Sequence, residues 1–165
     1  MILAVDVGNS NTTVGLFNGT GELLFRALLE TSRSKTRDQC AIELLGVFQL
    51  YGADACTVDG AILSSVVPPL TTIFTDAIAR LTGIPPMVVG PGIRTGLNIK
   101  AEIHNQLGSD IVASSVAAIA KYPSPIVMVD MGTATSLSLI VGSVYEGCII
   151  MPGLALALDA LSERA

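Results

Sequence analysis

Two stretches of this chain set a carboxylate, a glycine and a hydroxyl or amide side chain in the same order at the end of an apolar run. Ile2-Leu3-Ala4-Val5-Asp6-Val7-Gly8-Asn9 superposes on Ile126-Val127-Met128-Val129-Asp130-Met131-Gly132-Thr133 at a constant offset of 124 positions. A carboxylate at a strand end can hold a metal ion, directly or through water. The glycine after it lets the backbone approach a ligand closely. Backbone N–H groups and the polar side chains of a tight turn can cradle phosphate oxygens. One Asp-x-Gly is most often an ordinary turn, but two in the same strand context point to a duplicated phosphate-holding unit. The period is too long for a solenoid repeat. The expectation is therefore two copies of one domain, with Asp6 and Asp130 flanking one cleft and gripping a polyphosphate from both sides.

Other chemistries are poorly provided for. His104 is the only histidine in the 165 residues. A Ser-His-Asp arrangement or a multi-histidine metal site is thereby excluded within this sequence. Cys40, Cys56 and Cys148 are odd in number and widely spaced. They read as small buried side chains rather than a disulfide framework or zinc site. The net charge is −5 and no basic run occurs, which argues against a nucleic-acid partner. Bound phosphate would then be held by backbone amides or a metal rather than by clustered lysines. No apolar run reaches the roughly 18 residues needed to cross a bilayer. The Met1–Asp6 start lacks a basic segment and carries an early carboxylate, so the expected location is the cytoplasm.

The elements that must position these residues follow from periodicity and turn chemistry. Strands are expected over residues 2–8, 11–17 and 22–27, separated by Gly8-Asn9-Ser10 and Gly19-Thr20-Gly21. Thr36 and Gln39 have capping-box spacing, opening a helix that runs to about Tyr51. A strand over 60–67 stops at Pro68-Pro69, followed by a helix to about Leu81 and a short strand over 87–89. A long loop from Gly90 to about Asn105 precedes a helix over 107–122. A second set of strands starts at Ile126, its third member covers about 144–150, and a helix follows Pro152-Gly153. Asp110 sits in the first turn of the 107–122 helix, where the helix dipole favours a carboxylate.

These motifs resemble the acetate and sugar kinase, Hsp70 and actin superfamily, and within it the type III pantothenate kinases. Asp6-Val7-Gly8-Asn9-Ser10-Asn11-Thr12 looks like that family's first phosphate motif, and Asp130-Met131-Gly132-Thr133-Ala134-Thr135 like its second. Ser64-Ser65-Val66-Val67-Pro68-Pro69-Leu70, the stretch Gly90 to Ile99, and Gly108-Ser109-Asp110 resemble further family signatures. Gly147, Pro152-Gly153 and Ala160-Leu161 look like the next segment. The resemblance runs in order along the whole chain.

The resemblance implies an α/β fold of two ribonuclease-H-like, actin-like ATPase lobes. The first lobe (1–123) would be complete; the second (124–165) would be partial, with apolar surface left uncovered. It implies transfer of the ATP γ-phosphoryl group to pantothenate, the first step towards coenzyme A. Magnesium and a monovalent cation, potassium or ammonium, are the implied cofactors, and a homodimer or a completing partner chain the implied assembly. By position, Asp6, Val7, Gly8, Asn9, Ser10, Asn11, Thr12, Thr13 and Thr133 would bind ATP phosphates, with Asp6 also a possible magnesium ligand. Asp130 would hold the monovalent cation. Gly108, Ser109, Asp110 and Ile111 would line the acceptor site, with Asp110 accepting the substrate hydroxyl proton.

Departures from the family cluster at that acceptor site. Ala101 stands where tyrosine is usual, Ile111 where arginine is usual, and Ser138 where aspartate is usual. The 102–105 stretch lacks the usual Asn-Pro. Losing the arginine removes a bidentate partner for the pantothenate carboxylate. Two alternatives therefore stand beside the kinase reading. One is a catalytically impaired paralogue acting as a partner or regulatory subunit; the other is a related kinase with a different small acceptor.

Overall fold

The computed structural model describes residues 1–90, 93–99 and 107–164. The chain divides into two compact units, Met1–Gly90 and Pro91–Ala165. The 123/124 boundary expected from the repeat marks where the duplicated strand begins. Compactness divides the chain earlier, because the helix before that strand shares its apolar core.

In the first unit, β1 (Ile2–Val7), β2 (Asn11–Phe17) and β3 (Leu23–Glu30) form an antiparallel meander. After them come α1 (Arg37–Leu50), β4 (Gly60–Ser65), α2 (Pro68–Thr82) and β5 (Met87–Val88). The sheet order is β3-β2-β1-β4-β5, with β4 parallel to both β1 and β5. The period of two along β1 sends Leu3, Val5 and Val7 to one face, where Val14, Leu16, Phe25 and Leu63 join them in the core. Onto this face α1 buries Cys40, Leu44, Val47 and Phe48. In the same core α2 buries Leu70, Phe74, Ala77 and Ile78, at i, i+4, i+7 and i+8.

The helix ends explain themselves chemically. Thr36 Oγ1 accepts from the Gln39 amide at 3.3 Å, and Gln39 Oε1 accepts from the Thr36 amide at 2.8 Å. That is the capping box the sequence expects. Pro68 opens α2, where its missing N–H costs nothing, and Gly83 closes it at φ +75°. A side chain at that φ would be strained.

The second unit contains β6 (Asn98–Ile99), α3 (Ser109–Lys121), β7 (Ile126–Met131), β8 (Ala134–Val141), β9 (Val144–Pro152) and α4 (Leu154–Arg164). Its sheet order is β6-β9-β8-β7. The β7–β8–β9 meander repeats β1–β2–β3. The two-residue β6, parallel to β9, falls in a stretch expected to be loop. Two residues carry no periodic signal, so pairing alone makes them a strand. The core of this unit is Ala118, Ile126, Ile140 and Tyr145, with Ile111, Ile119 and Met128 against it.

Candidate functional site

The first Asp-x-Gly turn is built from the end of β1. Asp6 lies exposed on the last full turn of the pleat, paired in register with Thr13 on β2 and Ser64 on β4. Gly8 N–H donates to the Asn11 carbonyl at 2.9 Å and closes the hairpin. A Cβ on Gly8 would stand 2.9 Å from that same carbonyl oxygen, so only glycine fits. The Ser10 carbonyl accepts from the Thr31 amide at 3.0 Å, and Thr12 Oγ1 bonds Thr31 Oγ1 at 2.8 Å. Thr12 is buried, so its hydroxyl braces the turn. Val7 contributes through its backbone, since its side chain is in the core and its carbonyl accepts from Val66. Asn9, Ser10 and Asn11 are exposed and Thr13 half-buried.

Arg33 lies beside this turn, with Nη2 donating to Asn9 Oδ1 at 3.5 Å. Sequence reasoning missed it. Its only signal is position, three residues past the end of β3, the strand that braces the turn.

The second turn repeats the design with one residue fewer. Val7 pairs with Thr12 across the first hairpin, whereas Met131 pairs with Thr135 across the second. Gly132 N–H donates to the Ala134 carbonyl at 3.0 Å. Asp130 is exposed and pairs with Ser136, and Thr133 is exposed at the tip. The brace is again the end of the third strand: Gly153 N–H donates to the Thr133 carbonyl at 3.1 Å. A Cβ on Gly153 would lie 2.5 Å from Thr133 O. That contact explains the Pro152-Gly153 motif, to which the sequence assigned no task.

Asp110 and Ser109 occupy the first turn of α3, after Gly108 at the helix cap, and all three are half-buried. Asp110 Oδ1 accepts from the Ile111 amide at 2.8 Å. Its carboxylate is among the groups that raise the Tyr145 pKa, which places the two within electrostatic reach. Tyr145 OH and Ser138 Oγ are buried and 2.8 Å apart. Ser138 thus spends its hydroxyl on Tyr145. Ile111 packs against the apolar cluster of this unit. Ala101 and the 102–105 stretch lie outside the described residues.

Among the described residues no group of three His, Cys, Asp or Glu side chains could hold a metal. A single carboxylate per turn suits a cation that keeps waters and shares phosphate oxygens. A groove of about 450 Å³ between α1 and α2 is lined by Asp38, Ala41, Ile42, Leu45, Arg80 and Leu81, and includes none of the predicted site residues. Among the described residues no helix is long and apolar enough to cross a membrane.

The sequence model of the type III pantothenate kinase family matches residues 2–165. A type III pantothenate kinase of Listeria monocytogenes is 40% identical over 166 aligned residues, covering all of this chain and 64% of its own. One from Halalkalibacterium halodurans is also 40% identical, with 65% covered. The chain thus spans just under two thirds of these relatives. Among solved structures, a Sinorhizobium meliloti protein assigned as a 2-dehydro-3-deoxygalactonokinase superposes with a TM-score of 0.58 at 13% identity. That superposition covers 100% of this chain and 57% of the other. A Campylobacter jejuni protein assigned to the Baf family of transcriptional activators gives 0.57 at 20% identity, covering 99% and 60%. At such identities these two structures speak for the fold alone, the two-sheet α/β architecture of the sugar-kinase and actin class.

Proposed function

Because this chain belongs to the type III pantothenate kinase family, we propose that it takes part in ATP-dependent phosphorylation of pantothenate in the cytoplasm, as part of a homodimer or with a completing chain. The observation that carries the reading is the family match along residues 2–165, which takes in both braced Asp-x-Gly turns and Asp110.

Phosphoryl transfer asks for positioning and charge neutralisation more than covalent chemistry. In this reading Asn9, Ser10, Asn11, Thr13 and Thr133 hold phosphate oxygens, Thr12 braces their turn through Thr31, and Arg33 adds a cationic contact beside Asn9. Asp6 would hold magnesium and Asp130 a potassium or ammonium ion, which offset the charge on the transferred group. Asp110 accepts the proton of the acceptor hydroxyl as its oxygen bonds the γ-phosphorus and the bond to ADP breaks. Gly108 and Ser109 shape the acceptor side. Ile111 offers pantothenate no charge-assisted contact. Such a contact is worth roughly 1.5–3 kcal/mol, so acceptor binding should be weak, as calorimetry can check.

A coupled assay of ADP release, with and without pantothenate and potassium, tests the proposal. Pantothenate-dependent release is expected. Asp110→Asn should lower it by about 10²–10⁴-fold, the usual contribution of a positioned base. Retention within about tenfold would remove Asp110 from that role. ATP binding without pantothenate-dependent turnover would instead favour the partner-subunit reading.

A further inference from the structure

The two copies of the meander leave their third strands differently. In the second unit Gly153 alone joins β9 to α4, whereas in the first the six residues 31–36 separate β3 from α1. Both ends of that extra loop are pinned. Thr31 is bonded to the first Asp-x-Gly turn twice, its amide to the Ser10 carbonyl at 3.0 Å and its hydroxyl to Thr12 Oγ1 at 2.8 Å. At the other end Lys35 Nζ donates to the Glu30 carbonyl and to Glu43 at 2.9 Å, and Thr36 caps α1. Between them the Lys35 amide donates to the Ser32 carbonyl at 3.2 Å, and the Ser32 and Ser34 hydroxyls bond at 2.9 Å. The residue that this pinned loop presents to the turn is Arg33.

Arg33 is exposed, and among the described residues its guanidinium has a single contact, from Nη2 to Asn9 Oδ1 at 3.5 Å. It makes no ion pair there, whereas Lys35, Arg37 and Arg80 all have carboxylate partners. Most of its five N–H donors are therefore uncommitted. A planar, uncommitted fork beside a phosphate-holding turn suits a bidentate phosphate contact. The fork meets Asn9 at the side-chain tip, away from the backbone amides of the turn. A phosphate resting on those amides is thus a side chain's length from the guanidinium, and only a longer phosphate chain reaches both. Building on the phosphoryl-transfer reading, we propose that Arg33 selects nucleoside triphosphate over diphosphate by gripping the terminal phosphate from the β3–α1 loop. The amides and hydroxyls of the turn serve either nucleotide; the guanidinium serves only the longer one. Selection of this kind also favours release of the diphosphate once the terminal group has moved.

Calorimetric titration of the 165-residue chain with a non-hydrolysable ATP analogue and with ADP, each with magnesium, reads the selection directly. The parent should bind the analogue at least about tenfold tighter than ADP. Arg33→Ala should lose about tenfold or more for the analogue and under about twofold for ADP. Arg33→Gln, which keeps an N–H donor without the charge, should match Arg33→Ala. Arg33→Lys, a point charge without the fork, should fall between. Arg80→Ala, on α2 with Asp38 as its partner, should change neither affinity. The proposal is overturned by equal losses for the two nucleotides, which would reduce Arg33 to a support for Asn9, by no loss for either, or by full affinity in Arg33→Gln. A parent that binds neither nucleotide would overturn it together with the phosphoryl-transfer reading. Turnover of pantothenate, scored in the coupled assay, separates the two otherwise. Turnover with unchanged selection in Arg33→Ala sinks the Arg33 role alone, and Arg33-dependent selection without turnover sinks the kinase reading alone.

Discussion

The two units start from the same three-strand meander and close opposite faces of it. In the first, α1 and α2 cover the Leu3–Val5–Val7 side, and Ile2, Leu24 and Leu28 on the other side stay exposed. In the second, α3 covers the side of Ile126 and Ile140, while Val127 and Val129 stay exposed. Ile2 and Ile126 are equivalent by the repeat, yet one is exposed and the other buried. The strand pattern therefore does not decide which face becomes core. The connection does: helices after the meander seal one face, and a helix before it seals the other. Apolar residues on both faces are the mark of a sheet meant to be covered twice.

Paired leucines at equivalent sites give the largest expected difference. Leu16 on β2 is 0% exposed and its counterpart Leu139 on β8 is 42% exposed. Leu16→Ala should lower unfolding free energy by about 2–5 kcal/mol, through lost transfer energy and the cavity left behind. Leu139→Ala should cost under about 1 kcal/mol. Urea titrations of the two variants decide it, and equal losses would mean that the second face is closed in solution.

Sequence reasoning reached the meanders, the Thr36 capping box, the Pro68 helix start and the paired turns, because each is written in local spacing. It also placed the uncovered surface in the right region, from the apolar run around Val144–Leu161. It did not reach the opposite closure of the two sheets, which depends on helices distant in sequence. Strand β6 escaped it for want of length. Of the candidate site, the turn residues were legible from the repeat. Their braces were not: Thr31, Arg33 and Gly153 act on the turns from the end of the third strand, a relation visible only once the strands pair. Thr12 was read as a phosphate ligand, and its burial against Thr31 ties its hydroxyl to the turn instead.

The braces allow a subtler comparison. Gly153→Ala places a methyl 2.5 Å from Thr133 O, backbone that cannot swing aside. A loss of about 1–3 kcal/mol is expected, with displacement of the second turn. On the first turn the brace is a hydroxyl pair. Thr31→Val keeps the shape but leaves Thr12 Oγ1 buried without that partner, at a cost of about 1–2 kcal/mol. Hydrogen exchange at Gly132 and Gly8 separates the two, since each variant should loosen only its own turn. Loosening of both turns by either variant would break the view of two independently braced copies. At the helix that seals the first unit, Thr36→Ala removes one half of the capping box and should cost about 1 kcal/mol by thermal unfolding.

The smallest effect probes whether the closed face of the second unit stays closed. Tyr145 is fully buried there, and its phenol is pushed up to about 12. Burial is the main cause; the Ser138 hydroxyl pulls the other way, and Cys148 and Asp110 push in the same direction as burial. In the unfolded chain the phenol titrates near about 10. Between those two values the unfolded state has lost a proton that the native state keeps, so stability must fall as pH rises across that window. Below about pH 10 both states are protonated and the contribution is fully present. Tyr145→Phe should remove this part of the alkaline slope. At neutral pH it should also cost about 1 kcal/mol, because Ser138 Oγ then stays buried without the phenol. Subtracting the variant's stability–pH curve from that of the parent cancels every other alkaline group and leaves Tyr145 alone. A flat difference curve, or tyrosinate absorbance from this residue appearing near about pH 10, would mean that water reaches the α3 side of the sheet. Neither face of the second unit would then be sealed, and the contrast with the first would be one of degree of folding rather than of which face is covered.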